Sequence, residues 1–573
     1  MHLHGGEVPA AIDGGPDFWF TSDGQHGPAF YSKDGNTDKN WAIYRYPNVQ
    51  EAAPLWFHDH TLGATCLNVY AGLAGGYLLT DPKLTLPAGL SATGLRNGAL
   101  GPNPVDDTTI PLVVQDRMFD TNGQLYFPNT GINPEHPYWI PEFLGDTIAV
   151  NGKVWPYLEV KAQRYRFLLI NGSNARSYEL TFGNLTASNP AIWQIGTDQG
   201  YLDKPASVNP LVIMPGERAE FIVDFAGLAS GDTLILKNLG PDEPFNGTIG
   251  NQTPSDPATT GKVLQFKVVI GAAATDSSFN PAATGATIRK GVDTIVRLVD
   301  PTTGTLAKNV KPDLTRELTL NEIASSGGPL EILINNTRWT GRQPDANNPG
   351  NMTTDPDQSG FTADGIGNVL SEMPKEGATE VWEIVNTTMD AHPIHTHLAQ
   401  FQLLNRQSGN ATGYVAAYGA AFPGGGTDPE TGLPYPAGVY MAAYGSSLSY
   451  APSSASGGKY GGNPDVTPYL QGSIIPPNPN EAGWKDTVMA PPGMVTRFVV
   501  RWAPTDMTVR PSLSAALHYA FLPNDAIPGN PGAHFDYVWH CHIVDHEDND
   551  MMRPDAVVPM PLAPRTYNMG TDY

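Results

Sequence analysis

At 573 residues the chain is longer than one hydrophobic core supports, and usual domain sizes point to roughly three domains. A formal net charge of −24 argues against nucleic acid and anionic membrane as partners, and no uncharged apolar run approaches the roughly 20 residues that span a bilayer. Two cysteines, Cys66 and Cys541, allow at most one disulfide, while 53 prolines and 61 glycines spread along the chain fit many short strands joined by turns.

Residues 1–85 carry the motifs HLH (His2, His4) and HDH (His58, His60) and end in an apolar segment over 67–80. Cys66, in that apolar surrounding, reads as a small buried residue. Residues 86–108 are poor in large apolar side chains and read as a linker. From 109 to 272 short runs such as IPLVVQDR, YRFLLING and KVLQFKVV alternate between apolar and polar residues, with Gly, Asn and Asp at the turns, as a β-sandwich requires. This middle region holds one histidine, His136, and no cysteine, so it reads as scaffold. A Pro/Ala/Thr-rich second linker covers 273–312, and the last domain runs from 313 to 573 through strands such as TEVWEIVN and TRFVVRWA. Within it, 407–482 is rich in Gly, Pro, Ala, Ser and Tyr and reads as an irregular insertion, either a solvated loop or a rim.

Ten of the 14 histidines fall in four short motifs: HLH, HDH, HPIHTH (His392, His395, His397) and HCH…H (His540, His542, His546). Residues i and i+2 of a strand share a face, so each H-x-H pair presents two imidazoles to one side. Four facing pairs exceed what one ion takes and suit a metal cluster. His26, His136, His518 and His534 stand outside the pattern and read as ordinary polar residues. In HCHIVDHEDNDM, Cys541 offers a thiolate, His546 an imidazole and Met551 a weak thioether, a blue-copper donor set once a second imidazole joins, for which His392 is the candidate. Zinc is the rival metal, but a closed tetrahedral zinc site leaves the methionine unexplained. His540 and His542 point away from the Cys541 side chain, so they reach a second site while staying covalently joined to the first.

At these residues the sequence resembles the multicopper oxidases, in the branch of bacterial spore-coat laccase, bilirubin oxidase and phenoxazinone synthase. HLHGG, WFHDH, HPIHTHLAQF and HCHIVDHEDNDMMRP match its copper motifs, with longer echoes in DGGPDFWF, RFLLINGSNARSYEL, PGERAEFIVDF and GWKDTV. The resemblance implies an all-β chain of three cupredoxin-like Greek-key sandwiches holding four copper ions. A type 1 ion would take His392, Cys541, His546 and Met551, and a type 2 ion His2 and His395. The type 3 pair would take His4, His58 and His542 on one ion, and His60, His397 and His540 on the other. The family oxidises a small-molecule reducing substrate at type 1, passes electrons through Cys541, His540 and His542, and reduces dioxygen to water at the cluster. Asp13 and Glu547 match acidic residues that supply protons there, although either also reads as a turn or surface carboxylate. Family members carry most of a first half-domain before HLHGG, so the first domain is expected to be truncated, with no leader to read. The family context implies an extracytoplasmic location.

The expected activity is thus laccase-like oxidation of phenols, aromatic amines or bilirubin-like pigments. Two alternatives stay open: a metal-ion (cuprous) oxidase of the copper-tolerance kind, against which the scattered 14 methionines weigh, and a non-catalytic copper-binding coat component.

Overall fold

The computed structural model describes the chain apart from residues 33–39, 82–83, 88, 91–107, 187–188, 271–275, 341–342, 346–347, 354–361, 364, 422–444, 508–516, 531 and 562. Most of the expected 86–108 linker and the middle of the insertion therefore lie outside the described residues. The chain is mostly β, with three short α-helices among the described residues.

Strands β1 (His2–His4), β2 (Ala53–His58) and β3 (Ala74–Leu79) form an antiparallel sheet in which His2 stands opposite His58 and His4 opposite Trp56. Strand alternation then sends His2, His4 and His58 to one face. Helix α1 (Thr65–Ala71) follows, its first amides donating to the Asp548 carboxylate (Thr65 N–H at 3.2 Å, Cys66 N–H at 2.7 Å). It ends at Gly72, whose φ of 112° disfavours other residues. Cys66 is half-buried, less enclosed than its apolar setting suggests, because α1 lies at the surface with Leu67 on view.

Residues 109–270 build a seven-stranded and a five-stranded sheet. Alternate residues of their strands close a core around Phe167, Phe221, Leu236 and Phe266. In the last third a five-stranded sheet containing β4 (Thr379–Asn386) accompanies a four-stranded one. The latter is built from β5 (His392–Thr396), β6 (Thr487–Ala490), β7 (Tyr537–Cys541) and β8 (Met552–Asp555), in the order β6–β5–β7–β8. Trp382, Phe498 and Trp539 share one continuous core with Leu3, Ala53 and Leu55, so the first sheet and the last sandwich pack as a single apolar body.

The insertion is more ordered than its composition indicates. Asn410 caps α2 (Ala411–Ala420), accepting from the Gly413 amide, and Tyr414 and Tyr418 are buried beneath it. Further on, the Lys459 ammonium reaches Glu317 (2.6 Å), Glu383 (2.7 Å) and Asp465 (3.0 Å), anchoring the segment to the five-stranded sheet by charge.

Candidate metal centres

Strand register separates two sites. Ile394 of β5 stands opposite Cys541 of β7, and His395 opposite His540. Cys541 thus shares a face with Ile394 and His392, and His540 shares the other with His395 and His397.

On the first face, the Cys541 Sγ lies 3.6 Å from His392 Nδ1 and 3.7 Å from His546 Nδ1, and the two nitrogens are 3.3 Å apart. The Met551 amide donates to the His546 carbonyl and its own carbonyl accepts from the Cys541 amide, both at 3.0 Å. These bonds curl 546–551 back against β7, with the methionine wholly buried. The other ring nitrogen of His392 lies 2.7 Å from the Thr388 hydroxyl, and that of His546 lies 3.7 Å from Glu142. Burial pushes His392 down to about 3 and His546 well below its ordinary range, so both rings are neutral donors.

On the second face eight imidazoles converge. His4 Nδ1 is 3.0 Å from His542 Nε2, which is 3.4 Å from His58 Nε2. The Nε2 atoms of His60 and His397 each lie 3.3 Å from that of His540. The Nε2 atoms of His2 and His395 are buried without a hydrogen-bond partner, and their rings stack on His397 and His4 with centroids 3.7 Å apart.

Oxygen atoms behind the rings decide which nitrogens face inward. His2 Nδ1 donates to the Asp13 carbonyl (2.8 Å), His58 Nδ1 to that of Asp59 (2.7 Å), His540 Nδ1 to that of Cys541 (2.9 Å) and His395 Nδ1 to that of Asp486 (2.9 Å). His397 Nδ1 donates to Asp13 Oδ2 at 2.6 Å, and His4, turned the other way, donates Nε2–H to Asp486 Oδ1 at 3.1 Å. A proton held on the outer nitrogen leaves a bare lone pair on the inner one. His397 and His540 both have their outer nitrogens held in this way, and their inner lone pairs, 3.3 Å apart, repel unless a cation lies between them. Nitrogens about 2.0 Å from one ion are about 3.3–3.5 Å apart, so the spacings of 3.3 and 3.4 Å about His540 and between His542 and His58 fit metal ligation. Burial and the neighbouring rings hold His4, His58, His60, His397 and His542 well below their ordinary range, and His395 falls to about 4.

Both acidic residues expected at the cluster are wholly buried, so neither is a surface carboxylate. Asp13 bridges His2 and His397, while Glu547 lies 3.4 Å from His60 Nδ1 and 3.2 Å from His540 Nδ1. The four histidines set aside all face backbone carbonyls: His26 that of Gly27, His136 that of Leu330, His518 that of Tyr519 and His534 that of Asn524.

Three residues near the sites, Asp486, Arg218 and Glu142, are not singled out by the sequence. Asp486 contacts His4 and His395 and receives both terminal nitrogens of the buried Arg218 at 2.7 and 2.5 Å. Burial alone would raise its carboxyl, but Arg218 and His4 outweigh that and hold it well below the usual range. Asp486 lies in the GWKDTV segment, which was the available signal. Arg218 belongs to the middle region read as scaffold, which therefore reaches the histidine cluster. Glu142, also from the middle region, had no motif to mark it.

A family model described as "Multicopper oxidase" matches residues 338–423. The chain is 30% identical over 561 residues to a laccase of Bacillus subtilis (strain 168), spanning 97% of this chain and 78% of that protein. It is 32% identical over 558 residues to multicopper oxidase LPR1 homolog 1 of Oryza sativa subsp. japonica, spanning 97% of this chain and 74% of the relative. Among solved structures, the 2F4 variant of the McoA multicopper oxidase from Aquifex aeolicus shares its cupredoxin-like fold, with a TM-score of 0.55 and 23% identity over 97% of this chain and 84% of that one.

Proposed function

The chain belongs to the multicopper oxidases, a family of copper-dependent oxidoreductases, and on that premise we propose a laccase-like enzyme that oxidises phenols, aromatic amines or bilirubin-like pigments and reduces dioxygen to water. The observation that carries this reading is the end of β7. There Cys541 faces His392 and His546, while its covalent neighbours His540 and His542 face the two imidazole triads.

In this reading a type 1 ion is held by His392, Cys541, His546 and Met551, and a type 2 ion by His2 and His395. The type 3 pair is held by His4, His58 and His542, and by His60, His397 and His540. Copper supplies one-electron redox chemistry and a place for dioxygen to react. The protein supplies the rest. Thiolate and thioether select copper over harder ions. The peptide bonds from Cys541 to His540 and His542 give electrons a short bonded path between sites. Glu547, against His60 and His540, and Asp13, against His2 and His397, hold the protons that oxygen reduction consumes. Met389, three residues before His392, and Tyr138, next to the Trp139 whose indole N–H donates to the Asp545 carbonyl, are 78% and 81% exposed, apolar side chains on which a flat aromatic reductant could land.

Copper counting with oxygen uptake tests the reading. Four ions per chain, an intense blue absorption and phenol-dependent uptake are expected. Cys541→Ser should lose both colour and uptake, and a blue, active variant would refute the assignment.

One observation favours a metal ion as the reductant instead. Glu142 is buried beside His546 with an oxygen that has no hydrogen-bond partner. Its carboxyl is raised well above the ordinary range by burial and by the nearby Asp390, Asp545 and Glu322. Carboxylate oxygens suit a hard divalent cation better than soft cuprous ion. Faster turnover with ferrous ion than with a phenol, lost in Glu142→Gln, would decide for this second reading.

A further inference from the structure

Oxygen reduction in this reading uses His540 and Cys541 of β7 but not Trp539, the ring next to them. Trp539 immediately precedes His540, is wholly buried, and stands edge-to-face with Trp382 at 5.1 Å between ring centroids. Its indole N–H donates to Glu372 Oε2 at 3.1 Å, and the other oxygen of that carboxylate accepts from the Tyr450 hydroxyl at 2.7 Å. The Tyr450 ring is 6.4 Å from that of Tyr460, which is only half-buried. Both tyrosines belong to the 407–482 insertion. Apolar side chains would fill this volume without a buried carboxylate, whose desolvation is costly unless every oxygen is hydrogen-bonded. Of the three side chains that donate to the carboxylate, Ser371 (2.6 Å) is a plain hydroxyl, but the other two carry oxidisable rings, one of them covalently joined to a cluster histidine. Packing alone does not call for that pairing.

We propose that Trp539, Tyr450 and Tyr460 form an outlet that drains oxidising equivalents from the histidine cluster when fewer than four electrons reach dioxygen. The inference rests on the oxidase reading above, with partly reduced dioxygen as the oxidant. In the step, one electron leaves Tyr450, passes through Trp539 and the peptide to the His540 side, and cancels one oxidising equivalent there. The Tyr450 O–H bond breaks and its proton moves to the Glu372 oxygen already bonded to it, leaving a neutral tyrosyl radical. An electron from Tyr460 restores Tyr450 as Glu372 returns the proton, the Tyr460 hydroxyl proton leaving to solvent, and an external phenol at the surface finally restores Tyr460 by giving it an electron and a proton together. Electron tunnelling falls steeply with distance: Glu372 joins Trp539 to Tyr450 through hydrogen bonds of 3.1 and 2.7 Å, and the Tyr450 and Tyr460 rings are 6.4 Å apart, so successive partners are close enough for short hops. The insertion thereby gains a chemical role: it carries the exit of the path.

The test uses copper-loaded wild-type protein, Tyr450→Phe and Tyr460→Phe, mixed with oxygen and fewer than four reducing equivalents of a phenol per chain. Copper content and oxygen uptake with excess reductant are measured first, then organic radicals by freeze-quench EPR and oxidised residues by peptide mass spectrometry. Wild-type protein should give a radical that narrows when its tyrosine rings are deuterated. Tyr450→Phe should lose it, accumulate several-fold more oxidation at Trp539, and inactivate after several-fold fewer turnovers, with copper content and initial uptake unchanged. Tyr460→Phe, farther from the carboxylate, should lengthen the lifetime of the radical. Equal radical yield and equal Trp539 oxidation in all three proteins, with uptake intact, overturns the outlet alone. Absence of oxygen uptake in the wild type overturns the oxidase reading and the outlet with it.

Discussion

Removing copper should make this fold steeply sensitive to acid, by an amount that follows from the buried imidazoles. In the metal-free protein His392 is held at about 3 and His395 at about 4, against an ordinary 6.5, because burial opposes the charged ring. The unfolded chain binds these two protons once the pH drops below 6.5, whereas the folded chain does so only near 3 and 4. Stability is therefore fully present above the ordinary value and declines as pH falls through that window. At pH 5 each of the two rings costs about 2 kcal/mol, or about 4 kcal/mol together. His4, His58, His60, His397, His542 and His546 shift in the same direction and add to the loss. Net stabilities of folded domains are about 5–15 kcal/mol, so the metal-free protein should open between pH 6.5 and 5. Bound copper competes with protons for the same nitrogens and should flatten the dependence. Tryptophan fluorescence melts of chelator-treated and copper-loaded protein, from pH 7.5 to 5.0, measure both. A metal-free midpoint that does not move across that range would refute the neutral buried cluster.

Three substitutions separate the parts of the site. Met551→Leu should keep the blue colour and raise the type 1 potential in redox titration, because a weak thioether donor that favours the oxidised ion is gone; an unchanged potential would show that Met551 is not axial. Glu547→Gln should slow reoxidation by oxygen roughly 10²-fold while leaving anaerobic reduction by a phenol unchanged, as stopped-flow absorbance would record. Equal slowing of both half-reactions would remove Glu547 from proton delivery. Arg218→Met leaves Asp486 buried without its counter-charge, a loss of about 3–5 kcal/mol. Its main effect should be a fall of roughly 10–100-fold in copper affinity at the His4 and His395 sites, with the blue band retained. Metal analysis showing full copper would mean that the Arg218–Asp486 pair is dispensable.

The contrast between what the sequence reveals of these sites and what it hides has a physical origin. Ligand spacing is a covalent property: the two-residue repeat of a strand puts His2 with His4, His395 with His397 and His540 with His542, whatever the rest of the chain does. The same alternation turns Cys541 the other way, so the division into two sites is readable from HCH alone. The layer behind the ligands has no such period. Asp486 meets Arg218 across 268 residues, and Asp13 meets His397 across 384. Only the assembled sheets show that the DGG around Asp13 is a buried anchor and not an exposed turn. Composition misleads most at the insertion, where Gly, Pro and Ser suggest solvated chain, yet Lys459 and Tyr450 are drawn inward by Glu317, Glu383 and Glu372. Those carboxylates sit on or beside strands that read as ordinary sandwich segments, so neither half of the pairing announces the other. A buried charge in one segment requires a partner from another, but only the assembled sheet shows that the glutamates at 317, 372 and 383 are buried, so the ordered part of the insertion is legible in the structure and not in the sequence.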